Sequence, residues 1–290
     1  MLTYALPLVD RKRELDQFRR ILRGEADVRG LVIHSRGDRG WGKSALLEMF
    51  RQECEACESP TTSVFFFEPS DTGADWKSIM DHTTRALGTE HFPRYLSASA
   101  SAYSREVRES PADYGEVRGR VEFIASDLRQ GTGDIAGVMI KQSFLGIERP
   151  ERLLMDITEV FLEELQALPE PAQIVWLVDS LDWIDRDTKA WLIKMFGRIA
   201  SQRLTRIILV VAGRELLHYH PSWKGRVAEI DIRPFDEEDV MELFSEVGWV
   251  GDIALYELAA ESLVAKCKGR PLDICTQIES RLSEWGDSDV

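Results

Sequence analysis

Cysteine, positive charge and long apolar runs are all scarce in this chain, and each shortage excludes a class of protein. Four cysteines in 290 residues do not make a disulfide scaffold. Cys54 and Cys57, in "CEAC", and Cys267 and Cys275, on either side of "KGRPLDI", would form a four-thiolate zinc site only if the fold joined the two pairs. The i, i+3 spacing of Cys54 and Cys57 on an expected helix favours a plainer role as small hydrophobes. Lys and Arg number 36 against 50 Asp and Glu, a net charge of −14. That balance argues against a non-specific nucleic-acid binder, because phosphate neutralisation needs clustered cations. A small basic groove is still compatible with it, since net charge hides local patches. No run approaches the roughly 18 apolar residues of a membrane span, and "MLTYALPLVDRKREL" has no basic segment followed by a long apolar core. A soluble cytoplasmic protein without a membrane partner is expected.

What is present is apolar material in short blocks, 44% hydrophobic overall. "LVDRKRELDQFRRILRG" carries Leu15, Phe18, Ile21 and Leu22 at helical spacing. "GLVIHSR" then reads as a buried strand and "KSALLEMFRQECEAC" as a helix. "TTSVFFFEPS" is β-branched and aromatic up to Pro69, as a strand should be. "AQIVWLVDS" (172–180) and "TRIILVVAG" (205–213) are continuous apolar runs, the mark of strands buried on both faces of a parallel sheet. "RVAEIDI" (226–232) is a fifth candidate. Helical segments such as "DTKAWLIKMFGRIASQ" lie between them, so an α/β layered fold is expected.

Positions 69 to 172 are far more than one crossover helix needs, which points to an inserted helical region at about 89–150. Its Ser/Ala-rich centre, "YLSASASAYSREVRESPADYGE", reads as a mobile loop; "RVEFIASDLRQG" and "PERLLMDITEVFLEELQAL" read as helices. After Pro234 three helix patterns follow without a strand, so a boundary is set near 233.

"HSRGDRGWGKSALLEMF" (34–50) carries the chemistry. Gly37, Asp38, Arg39, Gly40, Trp41, Gly42, Lys43 and Ser44 satisfy G-x-x-x-x-G-K-[ST] between a strand and a helix. Glycines let backbone N–H groups turn inward around phosphate oxygens, Lys43 supplies a cation for the β and γ oxygens, and the Ser44 hydroxyl suits Mg²⁺. The helix that starts at Lys43 and runs on through Ala45 adds its N-terminal dipole. A P-loop also needs a carboxylate at the end of a neighbouring strand; Asp179 in "IVWLVDSLDWID" supplies it as a second metal ligand. Ser180 stands where a second acid would polarise the attacking water. Asp182 and Asp185 are the nearest alternatives, and Asp182 is the candidate base; helix capping or loop solvation would explain either residue equally well. Arg214 ends the fourth strand on the side where α/β sheets bind ligands, either to meet a γ-phosphate or as a surface arginine. His218 and His220 have metal-like spacing but no further partners nearby and read as loop residues.

The order of these motifs resembles STAND-type NTPases, signal-transduction ATPases related to AAA+ proteins. "LVDRKRELDQFRRIL" is similar to the family's "hxGRexEL", "WLVDSLDWID" to its "hhhDDLHWAD" Walker B and "VVAGR" to its strand-four arginine. "IDIRPFDEEDVMELF" is similar to the start of its helical lid and "CKGRPLDI" to its "GNPLxL". The resemblance covers most of the chain outside 89–150. It implies that Val9 and Arg11 lie near an adenine, that Gly37 to Ser44 hold phosphates and Mg²⁺, that Arg214 senses the γ-phosphate and that Pro271 closes a lid. Asp10 replaces the family's glycine, Ser180 its second aspartate and Asp182 its histidine, which implies slow turnover. Arg226 sits where AAA+ relatives carry an arginine finger, though a surface arginine is the plainer reading.

The expectation is therefore an α/β P-loop NTPase with a five-stranded parallel sheet in a core of residues 1–233, a helical insertion and a C-terminal helical lid at 234–290. The function it implies is a Mg²⁺-dependent ATPase, a slow ATP/ADP switch that works with a separately encoded protein partner or by self-assembly, as in prokaryotic signalling or defence. The alternatives are an AAA+ machine acting on protein or nucleic acid, and a nucleotide-bound structural subunit without turnover. Preference for ATP over GTP rests on the resemblance alone.

Overall fold

The computed structural model describes residues 11–35, 39–57, 62–67, 75–109, 150–168, 173–214, 220–248 and 253–286. In chain order the elements begin with α1 (Lys12–Leu22), β1 (Gly30–Ser35), α2 (Lys43–Ala56) and β2 (Thr62–Phe67). Helices α3 (Trp76–Leu87), α4 (Pro93–Glu109) and α5 (Pro150–Gln166) follow, then β3 (Gln173–Val178), α6 (Arg186–Ala200), β4 (Ile207–Ala212) and β5 (Val227–Ile232). Three helices close the described chain: α7 (Glu237–Glu246), α8 (Ile253–Cys267) and α9 (Pro271–Gly286).

The strands pair in the order β2-β3-β4-β1-β5, and every pairing is parallel. Continuous apolar runs have a direct consequence here. Residues of one parity, Val175, Leu177, Ile208, Val210, Leu31 and Ile33, share a core with α1 and α2. Residues of the other parity meet α6, where the Trp176 and Trp191 rings lie 6.0 Å apart. β5 differs because it has one neighbour: exposed Glu229 and Asp231 alternate with buried Ile230 and Ile232, the pattern of a half-solvated edge.

α1 is fixed to α2 by two contacts of different kinds. Phe18 and Phe50 stack with centroids 4.0 Å apart, and Arg19 grips Glu53 through two parallel bonds of 2.7 and 2.6 Å. That pair raises the Arg19 pKa and lowers that of Glu53, chiefly through the hydrogen bonds themselves. Arg29 ties the end of α1 to the turn that follows it by donating to the carbonyls of Ile21, in the last turn, and Ala26, beyond it.

The C-terminal helices have a core of their own, made of Phe235, Val240, Leu243, Phe244, Ala260, Leu263, Cys267, Ile274 and Ile278. A reciprocal capping box between Asp236 and Asp239 starts α7.

The described chain forms two compact units, Met1–Trp76 with Ala172–Val290, and Lys77–Pro171. The second is wider than the expected 89–150 because α3 is joined to it: the Tyr95 hydroxyl donates to Asp81 at 2.5 Å. Within it, Pro93–Glu109 is helical where Ser/Ala-rich composition pointed to a loop. Pro93 occupies the first helical position, which suits its fixed φ. Glu164 of α5 then accepts from the N–H groups of Arg94 and Tyr95 at 2.8 and 2.9 Å, and Tyr95 packs edge-on against Phe161. Distant residues thus cap and bury a sequence that is weakly patterned by itself. The helix expected at 120–131 lies outside the described residues.

Truncating the α1–α2 stack tests this packing. Phe50→Ala should lower the unfolding free energy by about 3–5 kcal/mol, read from urea denaturation; a loss below about 1 kcal/mol would show that the stack is not part of the core.

Candidate functional site

The site lies at the C-terminal ends of β3, β4 and β1, which are neighbours in the sheet. Each strand ends on a polar group: Asp179 follows β3, Arg214 stands two residues past β4, and Ser35 closes β1. Ser35 and Asp179 are both buried, at 3% exposure.

Between β1 and α2 the chain turns through Gly40 (φ +97) and Gly42 (φ +86), conformations that cost a residue with a Cβ about 1–2 kcal/mol. Gly42 is the N-cap of α2 and gives it no side-chain cap; no acidic residue stands in the first turn. α6 and α7, by contrast, are capped by Asp185 and Asp236. The first turn of α2 thus has a positive dipole and, within the helix, neither a side-chain cap nor an acidic residue to meet it, which fits a phosphate. Ser44 and Ala45 are exposed on that turn, whereas Trp41 is half-buried and packs against the sheet core. The donor set also fits Mg²⁺ with a nucleoside triphosphate: a hydroxyl at Ser44, a carboxylate at Asp179 and two cations at Lys43 and Arg214.

Lys43 Nζ donates to Ser35 Oγ at 2.8 Å. Burial holds its pKa below the usual lysine value; Asp182 and, less strongly, Asp179 act in the opposite direction, and Arg214 adds to the lowering. Those four charged groups form one electrostatic cluster. Beyond Asp179, Ser180 takes a left-handed φ of 52°, and its N–H donates to Asp179 Oδ1 at 2.6 Å. This bend starts a single 3-10 turn, Leu181–Trp183. The turn crosses so close to Gly213 that a Cβ there would lie 2.7 Å from Leu181 Cβ, which is why "VVAGR" needs its glycine. Asp182 is thereby carried to Arg214, whose backbone N–H lies 3.0 and 3.1 Å from its two carboxylate oxygens. Arg214 Nε is 3.6 Å from Oδ2.

Asp185 caps α6 through the N–H groups of Asp187 and Thr188, so of its two sequence readings the capping one is realised. His220 caps a short turn with Ser222; His218 lies outside the described residues. Arg226 precedes β5 at the opposite end of the sheet from the P-loop and contacts Asp27.

Arg11 is buried at 1% exposure, donates to the carbonyl of Arg233 at 3.4 Å and lies over the Phe235 ring. It ties α1 to the segment leading into α7. Val9, Gly37 and Asp38 lie outside the described residues.

Two participants were not picked out from sequence. Ser35 is one; a buried polar residue ending an apolar strand just before the P-loop was its signal. Arg270 is the other: it donates to the carbonyl of Arg39, while Leu272 N–H donates to the carbonyl of Gly40 at 3.1 Å. A Cβ on Gly40 would lie 2.8 Å from Leu272 Cβ and 2.9 Å from Arg270 Nε. Pro271, buried between these two residues, thus starts a helix docked on the P-loop backbone. Arg39 also places its guanidinium over the Trp183 ring, which is 65% exposed.

The four thiols are free, and no group of His, Cys, Asp and Glu suited to a metal is found among the described residues. Cys54 belongs to the sheet core and Cys267 to that of the C-terminal helices. No described helix is long and apolar enough to cross a membrane.

No family profile matches the chain, and no curated protein matches it. Among solved structures it is similar to Cdc6p from Pyrobaculum aerophilum, at 13% identity and a TM-score of 0.53 over 99% of this chain and 65% of that one. The chain thus spans a little under two thirds of that protein's length. A looser likeness, at a TM-score of 0.43 and 15% identity, is to a STAND protein with a tetratricopeptide repeat sensor from Pyrococcus horikoshii, covering 91% of this chain and 28% of that one. The former likeness bears on the fold alone: the chain shares with that protein an α/β fold with a parallel sheet and many helices.

Burial pushes the Cys54 thiol up to about 12 and the Cys275 thiol up to about 11, so both stay protonated near neutrality. With an aromatic disulfide reagent at pH 8, native protein should leave Cys54 and Cys275 unmodified, because only the thiolate attacks. All four should react in urea. Rapid native labelling of Cys54, mapped by mass spectrometry, would contradict its placement.

Proposed function

We propose that this chain is an ATP-binding switch of the STAND/AAA+ type, a Mg²⁺-dependent ATPase with slow turnover. The observation that carries the reading is the uncapped N-terminus of α2, set beside Lys43 and beside Asp179 and Arg214 on adjacent strand ends. Backbone N–H groups from Gly40 to Ala45, with Gly37 to Arg39 before them, would hold the β-phosphate, and Lys43 would bridge the β and γ oxygens. Mg²⁺ held by Ser44 and Asp179 would neutralise charge that develops on those oxygens. Arg214 would read the γ-phosphate. Val9 and Arg11 are proposed to flank the base, Arg11 from its buried place beside Phe235. Residues 234–290 are proposed to act as a lid, with Pro271 and Leu272 closing on the P-loop, and residues 1–233 as the core.

Two observations support slow turnover. Ser180 offers no carboxylate where a second acid would activate water, and the Asp182 carboxylate is turned towards the Arg214 N–H. The same facts favour one second reading, a nucleotide-bound subunit that never turns over. A cytoplasmic setting is proposed because four free thiols suit a reducing compartment. A protein partner or self-assembly is proposed as the output, with the 77–171 unit as the contact region, since long excursions from a rigid core commonly carry function.

Nucleotide retained on purification, together with ATP affinity and phosphate release, tests the proposal. Lys43→Ala should weaken ATP binding roughly tenfold or more, as loss of a charge-assisted hydrogen bond does. Asp179→Ala should remove the Mg²⁺ dependence of whatever turnover exists. If wild type binds no nucleotide and Lys43→Ala changes nothing, the reading fails; binding without phosphate release selects the second reading.

A further inference from the structure

We infer that Asp182 is a positioning residue whose carboxylate and an incoming γ-phosphate are alternative counter-ions for the Arg214 guanidinium. This inference rests on the nucleotide reading and deepens it by assigning the site an internal anion that a triphosphate displaces and a diphosphate leaves in place.

The geometry suits exchange. Both Asp182 oxygens are held by main chain, at 3.0 and 3.1 Å from Arg214 N–H, so the carboxylate keeps its place whatever the side chain of Arg214 does. The guanidinium, by contrast, approaches only to 3.6 Å, beyond a good hydrogen bond. The two side chains retain 20% and 35% exposure, so solvent weakens their attraction and little is lost when the cation turns away. Lys43, half-buried nearby, has Asp182 as its strongest attractive charge, so one carboxylate balances both cations that a terminal phosphate would seek.

Ser180 explains how the pairing arises. Its left-handed backbone turns Leu181–Trp183 over Gly213, and that crossing brings residue 182 to residue 214.

Binding of ATP and ADP to the full chain, measured by calorimetry with Mg²⁺ present, tests the exchange. Asp182→Asn removes the competing charge while keeping an oxygen for the Arg214 N–H. It should raise ATP affinity about two- to fivefold, the range of a half-exposed ion pair, and change ADP affinity less. In an Arg214→Ala background the same substitution should change the ATP/ADP ratio by a clearly smaller factor, since only Lys43 then feels the loss of the carboxylate. Asp182→Ser serves the same purpose if the amide variant does not fold. An unaltered ATP/ADP ratio in Asp182→Asn, or a ratio change as large without Arg214 as with it, overturns the inference while wild-type binding stands. Loss of phosphate release with no change in the ratio also overturns it and returns Asp182 to the role of base. Failure of wild type to bind either nucleotide removes the nucleotide reading itself, and this inference with it.

Discussion

β3, β4 and β1 are buried on both faces, and most of the site follows from that constraint. A strand covered on both sides has no room for charge along its length, since an unpaired buried charge costs several kcal/mol. Polar groups are therefore displaced to the strand ends. Because the strands run parallel, the ends carrying Ser35, Asp179 and Arg214 fall at one edge of the sheet. α2 leaves from that same edge with its N-terminus uncapped. Opposite charges gather there because the interior has no place for them, and the same gathering makes the edge suited to a polyphosphate with its metal.

The charges also constrain one another. Lys43 is half-buried and held by a neutral hydroxyl, so its charge is balanced across space by Asp182 and Asp179. Asp179 is bent back onto the next residue's N–H, and Asp182 onto Arg214. Two carboxylates and two cations nearly neutralise each other, which lets such a crowded edge form in a chain with a net charge of −14.

Sequence reasoning reached the elements whose signals are local. Apolar runs located β3 and β4, glycines marked the turn before α2, and an aspartate ending an apolar run marked the polar end of β3. It fell short wherever a residue's role depends on a partner far along the chain. Asp182 and Arg214 are 32 residues apart, and Arg270 meets Arg39 across 231; no spacing rule links them. α4 was missed because its cap comes from Glu164, 70 residues away. Arg11 was read through a family motif as a neighbour of the base, and its buried tie to residue 233 could not be seen from the motif. Ser180 stood out for the carboxylate it lacks; the left-handed bend it makes is a property of the backbone that residue type alone does not report.

The hydrogen bonds that join the start of α9 to the loop before α2 are both made to carbonyls among the described residues: Arg270 takes that of Arg39 and Leu272 that of Gly40. A peptide group is a rigid plane, so the carbonyl of Arg39 and the N–H of Gly40 turn as one body, as do the carbonyl of Gly40 and the N–H of Trp41. α9 therefore holds the carbonyl side of the same plates whose N–H groups belong to the proposed phosphate cradle. A shift of that helix would act on the plates through their carbonyls, so the direction of the loop N–H groups is tied to the seating of α9.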